Sequence, residues 1–200
     1  MISMLRRSIL ASVLIGLLAA CSPGGGSGAS FVNTDITGAS YGKDFHLTDH
    51  AGAARSLADY RGKVVTLFFG YVQCPDVCPT NLLNMVEVMK QLGPDADKVQ
   101  VLFMTIDPER DTQALLAEYV PAFDPRFTGL HADLPTTQAV AKDFKVFYQK
   151  QGDVGGKAYT VDHSTGTYVF DPQGRLRLYV RHGEKPEVIV ADVKKLLAGK

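Results

Sequence analysis

The sequence lacks an excess of charge, a long hydrophobic run and an internal repeat. Its 21 lysines and arginines balance its 21 aspartates and glutamates, and no basic block indicates a nucleic-acid partner. The uncharged, mostly apolar stretch Ser8–Ala20 is too short to span a bilayer comfortably. Neither a nucleic-acid-binding nor a membrane-spanning protein is indicated, and 200 residues of which 46% are hydrophobic suit one globular domain.

The apolar stretch has the features of an export signal. Arg6 and Arg7 precede it, and its length is typical of a signal-peptide core. It ends in Leu17–Cys21, Leu-Leu-Ala-Ala-Cys, which resembles the lipobox of bacterial lipoproteins. That resemblance implies that residues 1–20 are removed as a signal peptide and that Cys21 becomes the lipidated first residue. The alternative is an ordinary signal cut at the same place, which would leave Cys21 a free thiol.

Cysteine is scarce, and its three positions divide into an anchor and a pair. Three cysteines in an exported chain leave one unpaired, whereas assigning Cys21 to a lipid leaves the single pair Cys74 and Cys78. Glycine and serine dominate the residues directly after Cys21, which is typical of a flexible tether. We therefore predict a lipidated cysteine and tether over residues 21–34 and one domain over residues 35–200.

The cysteine pair follows a segment with the pattern of a buried strand. Val64–Phe69 is short, β-branched and aromatic without polar alternation, which predicts a central strand covered on both faces. A strand that leads through a loop into a helix places that loop at the carboxyl edge of the sheet, where α/β proteins have their binding and catalytic residues. Pro79 suits the first helical position, so we expect Cys78 at or beside the helix cap. Free N–H groups and the helix dipole there favour a thiolate.

The order of the other elements predicts the fold. A second buried strand, two helices, a hairpin and a last helix are expected at Val99–Ile106, Leu115–Val120, Thr136–Phe144, Thr167–Val180 and Pro186–Leu197. This order is that of a single thioredoxin-like α/β domain, with a central mixed sheet flanked by helices. Met85 and Met89 recur at helical spacing beside leucine and valine, so we interpret them as core residues and not as copper ligands.

One histidine is expected to lie near the cysteines. His163 stands in the segment that enters the final hairpin, which in a thioredoxin-like layout lies beside the loop after the central strand. Two thiolates and one imidazole suit copper or zinc, and they do not suit magnesium or calcium. Two thiolates give a site of net charge −1 with Cu(I) and a neutral site with Cu(II), so both states can be held. Three ligands also leave a position open for a partner's ligand.

The cysteine pair also fits two other roles. A structural disulfide between Cys74 and Cys78 would close a loop of only a few residues, and the chain-entropy account gives such a bridge little stabilising effect. Thiol–disulfide exchange requires a reactive cysteine with a resolving cysteine nearby, and the pair supplies both. From these residues alone, copper binding and disulfide exchange both stay open.

Several segments in this order resemble the Sco/SenC family, and the resemblance covers nearly all of residues 35–197. They are Asp35–Ala39, Phe45–Asp49, Gly70–Pro79, Asp107–Thr112 and Asp162–Ser164. The resemblance implies a thioredoxin-like, membrane-anchored protein that delivers copper, as Cu(I) or Cu(II), to the binuclear copper centre of cytochrome c oxidase. The family's copper ligands carry over to Cys74, Cys78 and His163, because each lies in its matching motif.

The resemblance also implies partners and a location. The partners are the copper-bearing subunit of cytochrome c oxidase and another periplasmic copper chaperone. The location is the bacterial cell envelope, with a lipid anchor in a membrane and the domain facing the periplasm or extracytoplasmic space. A metallochaperone is favoured over an enzyme; the alternative is a thiol–disulfide reductase that uses Cys74 and Cys78 to keep the oxidase's copper-site cysteines reduced. Asp162 is a hypothesis for orienting the His163 ring, and Asp107–Thr112 receives no chemical role.

Overall fold

The computed structural model describes residues 30–155 and 158–200, which form ten strands and four helices, and the predicted elements occur among them in the predicted order. The strands are β1 (Thr34–Asp35), β2 (His46–Asp49), β3 (Ala54–Ser56), β4 (Val64–Gly70), β5 (Val99–Thr105), β6 (Thr128–His131), β7 (Tyr148–Asp153), β8 (Ala158–His163), β9 (Thr167–Phe170) and β10 (Leu176–Val180). The helices are α1 (Val77–Leu92), α2 (Gln113–Tyr119), α3 (Leu134–Asp143) and α4 (Pro186–Leu197).

Eight of these strands form one mixed sheet in the order β1-β10-β9-β4-β5-β6-β2-β3. Strand β4 lies in the middle, parallel to β5 and antiparallel to β9. All seven of its residues are buried, as its continuous apolar sequence predicts. The thioredoxin-like fold expected from the element order is confirmed. Strands β1, β3, β6, β7 and β8 were not predicted. Strands β1, β3 and β6 have only two to four residues, which is too short to show a period.

The core fills the space between the sheet and its helices. Helices α1 and α4 pack against each other, and α4 also contacts β4. The largest fully buried side chains include Phe69, Phe103 and Phe170, and each such ring stabilises the fold by about 1.5–3 kcal/mol. Met85 and Met89 on α1 are 3% and 1% exposed, which confirms that they pack in the core.

The packed domain begins slightly before β1. The backbone N–H groups of Val32 and Asn33 donate to the buried carboxylate of Asp192 on α4, at 2.9 and 2.8 Å. The backbone at residues 32 and 33, within the range predicted as tether, is thus attached to α4. The predicted signal peptide and Cys21 lie outside the described residues. Within the described ranges, no helix has both the length and the apolar character needed to cross a membrane.

Strands β7 and β8 stand apart from the main sheet. Within residues 30–155 and 158–200 they pair only with each other, and His163 is the last residue of β8. We call β7 and β8 the outer hairpin, and β9 and β10 the sheet hairpin. The two hairpins follow one another along the chain, and only the sheet hairpin is built into the central sheet.

Candidate metal centre

The two cysteines lie at the carboxyl end of β4. Cys74 is in the loop after the strand and is partly exposed, whereas Cys78 is buried in the first turn of α1. Gly70, the last residue of β4, leaves room for the second thiol. A Cβ atom at Gly70 would lie 2.8 Å from the Cys78 Sγ atom and 2.8 Å from a ring carbon of Phe103. The glycine therefore allows the sulfur to pack against the end of the strand.

The start of α1 differs from the expectation. Asp76 is the N-cap, so Cys78 is the second helical residue and Pro79 the third. Burial raises the pKa of the Cys78 thiol far above its ordinary value. The prediction that the helix start favours a thiolate at Cys78 is therefore wrong for the free thiol, because burial disfavours the charged form. The Cys78 N–H instead donates to Cys74 Sγ at 3.4 Å.

His163 faces the buried cysteine. Its Nε2 atom lies 3.6 Å from Cys78 Sγ, and its Nδ1 atom lies 2.9 Å from the carbonyl oxygen of Ser164. A carbonyl only accepts, so Nδ1 carries the proton and the Nε2 lone pair points towards the sulfur. Burial lowers the pKa of His163, which favours the neutral ring that a metal requires.

The ring of His163 is oriented by its surroundings. Tyr71 and Phe68 contact it edge-on, with ring centroids 5.9 and 6.0 Å away. The side chain of Asp162 is exposed, and the described hydrogen bond of Nδ1 goes to the backbone of Ser164. The hypothesis that Asp162 orients the ring is therefore not supported by the structure.

The structure brings all three predicted ligands together. The Sγ atoms of Cys74 and Cys78 and the ring nitrogen of His163 lie within 4.8 Å of one another, and this is the one such cluster found among the described residues. Nitrogen and sulfur ligands bind first-row metals such as zinc at about 2.0–2.3 Å, so two ligands of one ion are roughly 3.5–3.8 Å apart. The 3.6 Å between Cys78 and His163 matches that spacing. The donor set is soft and fits copper.

A buried turn after β5 supports the site and was not predicted to do so. The Asp111 carboxylate accepts from the Val72 N–H at 2.9 Å and from the Thr105 hydroxyl at 2.7 Å. Burial raises the pKa of Asp111 to about 6. Arg110 of the same turn contacts β8, as does Tyr71 from the loop after β4. The position of the Asp107–Thr112 segment could have indicated this role. The segment follows β5, which is buried and parallel to β4, so both strands end at the same edge of the sheet.

A thioredoxin-like domain whose central strand ends in two cysteines, with a histidine supplied by a neighbouring hairpin, defines a class of proteins with a soft metal or redox centre. Comparison with known proteins identifies the family. The SCO1/SenC family model matches residues 33–198, and the chain belongs to this family.

Individual relatives agree with this assignment. The chain is 40% identical over 157 residues to the mitochondrial SCO2 homolog of Bos taurus, which is 78% of this chain and 59% of the bovine protein. It thus spans about three fifths of that relative's length. The copper-bound structure of Bradyrhizobium japonicum ScoI matches with a TM-score of 0.70 and 39% identity over 76% of this chain and 97% of that one. The apo Sco1 of Thermus thermophilus matches with a TM-score of 0.75 and 38% identity over 84% and 99%.

Proposed function

We propose that this protein binds one copper ion through Cys74, Cys78 and His163 and delivers it to the binuclear copper centre of cytochrome c oxidase during assembly. The observation that carries the proposal is the convergence of two sulfur atoms and one nitrogen atom within 4.8 Å. The copper-bound state of the similar B. japonicum protein supports copper as the ion. The partners proposed are the copper-bearing oxidase subunit and a second copper chaperone that loads the site.

The exposure of the ligands indicates how the ion would be transferred. An open cleft of about 390 Å³ is lined by residues that include Cys74, Val77, Thr160 and His163. Cys78 is buried beneath it, whereas Cys74 is partly exposed. A partner's thiolate entering the cleft would therefore displace Cys74 first, while Cys78 and His163 still hold the ion. This order keeps the copper bound throughout the exchange.

The location proposed is the bacterial cell envelope, with a lipid anchor in a membrane and the domain facing the periplasm or extracytoplasmic space. The lipobox-like residues 17–21 support removal of residues 1–20 and lipidation of Cys21. The glycine- and serine-rich tether would then hold the domain, which starts near residue 32, close to the membrane in the extracytoplasmic space. A Cys21→Ser variant is expected to lose incorporation of labelled fatty acid. A variant that is still labelled would contradict the anchor.

The second candidate function is disulfide reduction, favoured by the unequal exposure of two free thiols. The Cys74 thiolate would attack a partner disulfide, forming a mixed disulfide and releasing one partner thiolate. The Cys78 thiol would then lose its proton to the released partner thiolate and attack the Cys74 sulfur, releasing the second partner thiolate and leaving a Cys74–Cys78 disulfide. Two electrons pass to the partner. This reaction does not require His163 as a metal ligand.

Copper affinity separates the two functions. Purified Cys21→Ser protein, reduced and free of oxygen, is titrated with Cu(I) against a competing chelator, and then mixed with the copper-free copper-bearing domain of the oxidase. Cys74→Ser, Cys78→Ser and His163→Ala are compared with His46→Ala, a matched control whose side chain is 81% exposed. We expect one copper per protein, weaker binding in all three ligand variants only, and transfer of the ion to the oxidase domain.

The opposite pattern would support the reductase. Weak binding that is indifferent to His163→Ala, together with rapid reduction of a disulfide in the oxidase domain, would overturn the chaperone proposal.

A further inference from the structure

The strand that carries His163 is attached to the cysteine loop by side chains. One edge of β8 pairs with β7, and within the described ranges its other edge pairs with no strand. On that edge the Val161 N–H donates to the Tyr71 hydroxyl oxygen at 3.1 Å, and the Tyr159 carbonyl accepts from Arg110 Nη1 at 2.8 Å. These contacts replace the main-chain ladder that fixes the other strands.

Arg110 also reaches the loop that holds the first cysteine. The same Nη1 atom donates to the Gln73 side-chain oxygen at 3.1 Å, and Gln73 is the residue before Cys74. The guanidinium carbon lies 3.5 Å from the centroid of the Tyr159 ring, over its face. The guanidinium therefore touches both the chain segment leading to Cys74 and the strand leading to His163.

The position of Arg110 is itself fixed by a buried acid. Its side chain is 4% exposed and forms an ion pair with Asp107, whose side chain is fully buried. The Tyr159 hydroxyl donates to the other carboxylate oxygen of Asp107 at 2.7 Å. Asp107 thus contacts both the guanidinium and the outer hairpin. Arg110→Lys would keep the positive charge and remove the planar guanidinium that makes several hydrogen bonds at once.

We propose that Arg110 is a positioning residue of the metal centre, because its guanidinium bridges the cysteine loop and β8 and sets the distance from His163 to the two sulfur atoms. The inference rests on the proposed copper function. Partners that orient ligands from outside the coordination shell are worth about 10–100-fold in metal affinity. Loss of the bridge should therefore weaken copper binding through the histidine and leave the sulfur ligands in place.

A double-mutant cycle in the Cys21→Ser protein tests this role. Cu(I) affinity is measured for Arg110→Lys, His163→Ala and the double variant. We expect Arg110→Lys to weaken binding about tenfold when His163 is present, and to cause no further loss in the His163→Ala background. The Cu(II) form of Arg110→Lys should also show weaker nitrogen hyperfine coupling in its electron paramagnetic resonance spectrum.

Two further variants keep the test decisive. Arg177→Lys is the matched control, because Arg177 is 12% exposed and pairs with a buried aspartate, Asp171, near the other end of β4. It should leave copper affinity unchanged whatever it costs in stability. If Arg110→Lys fails to fold, Gln73→Ala takes its place in the cycle. This variant truncates the exposed side chain through which Arg110 contacts the cysteine loop, and it should lower copper affinity a few-fold.

The outcomes separate the two claims. Copper binding that depends on His163 but is unchanged by Arg110→Lys, or is weakened equally with and without His163, overturns the positioning role and leaves the copper function standing. Copper binding that does not depend on His163 overturns both.

Discussion

The two hairpins of this domain are consecutive in the chain and differ in what holds them. In the sheet hairpin every residue of β9 is buried and both strands join the central ladder. In the outer hairpin most residues of β7 are exposed, β8 buries only alternate residues, and the strands pair with each other alone. The hairpin that carries His163, the proposed histidine ligand, is therefore the one that is not built into the central sheet.

This difference separates stability from ligand placement. A main-chain ladder is set by the sequence pattern of two strands and tolerates little adjustment. Side-chain contacts such as those of Tyr71 and Arg110 fix a distance and can be changed without rebuilding the sheet. Local opening free energies also vary across a protein and are lowest where few apolar contacts are buried. We infer that the sheet hairpin stabilises the fold and that the outer hairpin positions a ligand.

The largest expected difference is in stability. Phe170→Ala in β9 removes a fully buried ring and should lower the free energy of unfolding by about 3–5 kcal/mol. Phe147→Ala, beside the start of β7, truncates a ring that is 62% exposed and should change it by less than about 0.5 kcal/mol. Urea unfolding measures both. Equal losses would contradict the assignment of stability to the sheet hairpin.

Amide hydrogen exchange should show the same contrast without any substitution. Amides of β9 are expected to exchange only on global unfolding, and those of β8 through local opening of lower free energy. The Val161 amide, which donates to Tyr71, should exchange faster in Tyr71→Phe, because that variant removes its acceptor. Copper should slow exchange in β8 and not in β9. Equal protection of the two strands in the copper-free protein would refute the comparison.

The smallest expected effect concerns pH, where two buried aspartates should act in opposite directions. Burial raises the pKa of Asp111 to about 6, so its folded form binds a proton that the unfolded chain has lost. Its stabilising contribution is complete below the unfolded pKa of about 3.9 and is lost as the pH rises through about 6.

Asp171 behaves the other way. Burial acts to raise its pKa, but hydrogen bonds from Arg175 and Arg177 outweigh burial, and the pKa lies below its ordinary value. Its contribution is present above the unfolded pKa and is lost as the pH falls through the folded pKa. The unfolding free energy is measured from pH 3 to pH 7. In Asp111→Asn it should no longer decrease as the pH rises towards 6, and in Asp171→Asn it should no longer decrease as the pH falls towards 3. Unchanged pH profiles in both variants would contradict these assignments.

The sequence predicted the parts of this molecule that leave a local pattern. The apolar run of β4 predicted a central strand, and motif likeness placed Cys74, Cys78 and His163 in one site. The contacts of Arg110 have no such pattern, because they join residues 37 and 49 positions away through side chains. The orientation of His163 by the Ser164 carbonyl was equally hidden, since a backbone acceptor has no residue type to recognise. The thiolate expectation at Cys78 failed because burial depends on the whole fold.

The most direct test of the central claim is X-ray absorption at the copper edge of the Cu(I)-loaded Cys21→Ser protein. The account predicts two sulfur ligands and one nitrogen ligand, with the nitrogen lost in His163→Ala. A copper ion bound by two sulfur atoms alone, with the same spectrum in His163→Ala, would contradict the claim that the outer hairpin completes the metal centre.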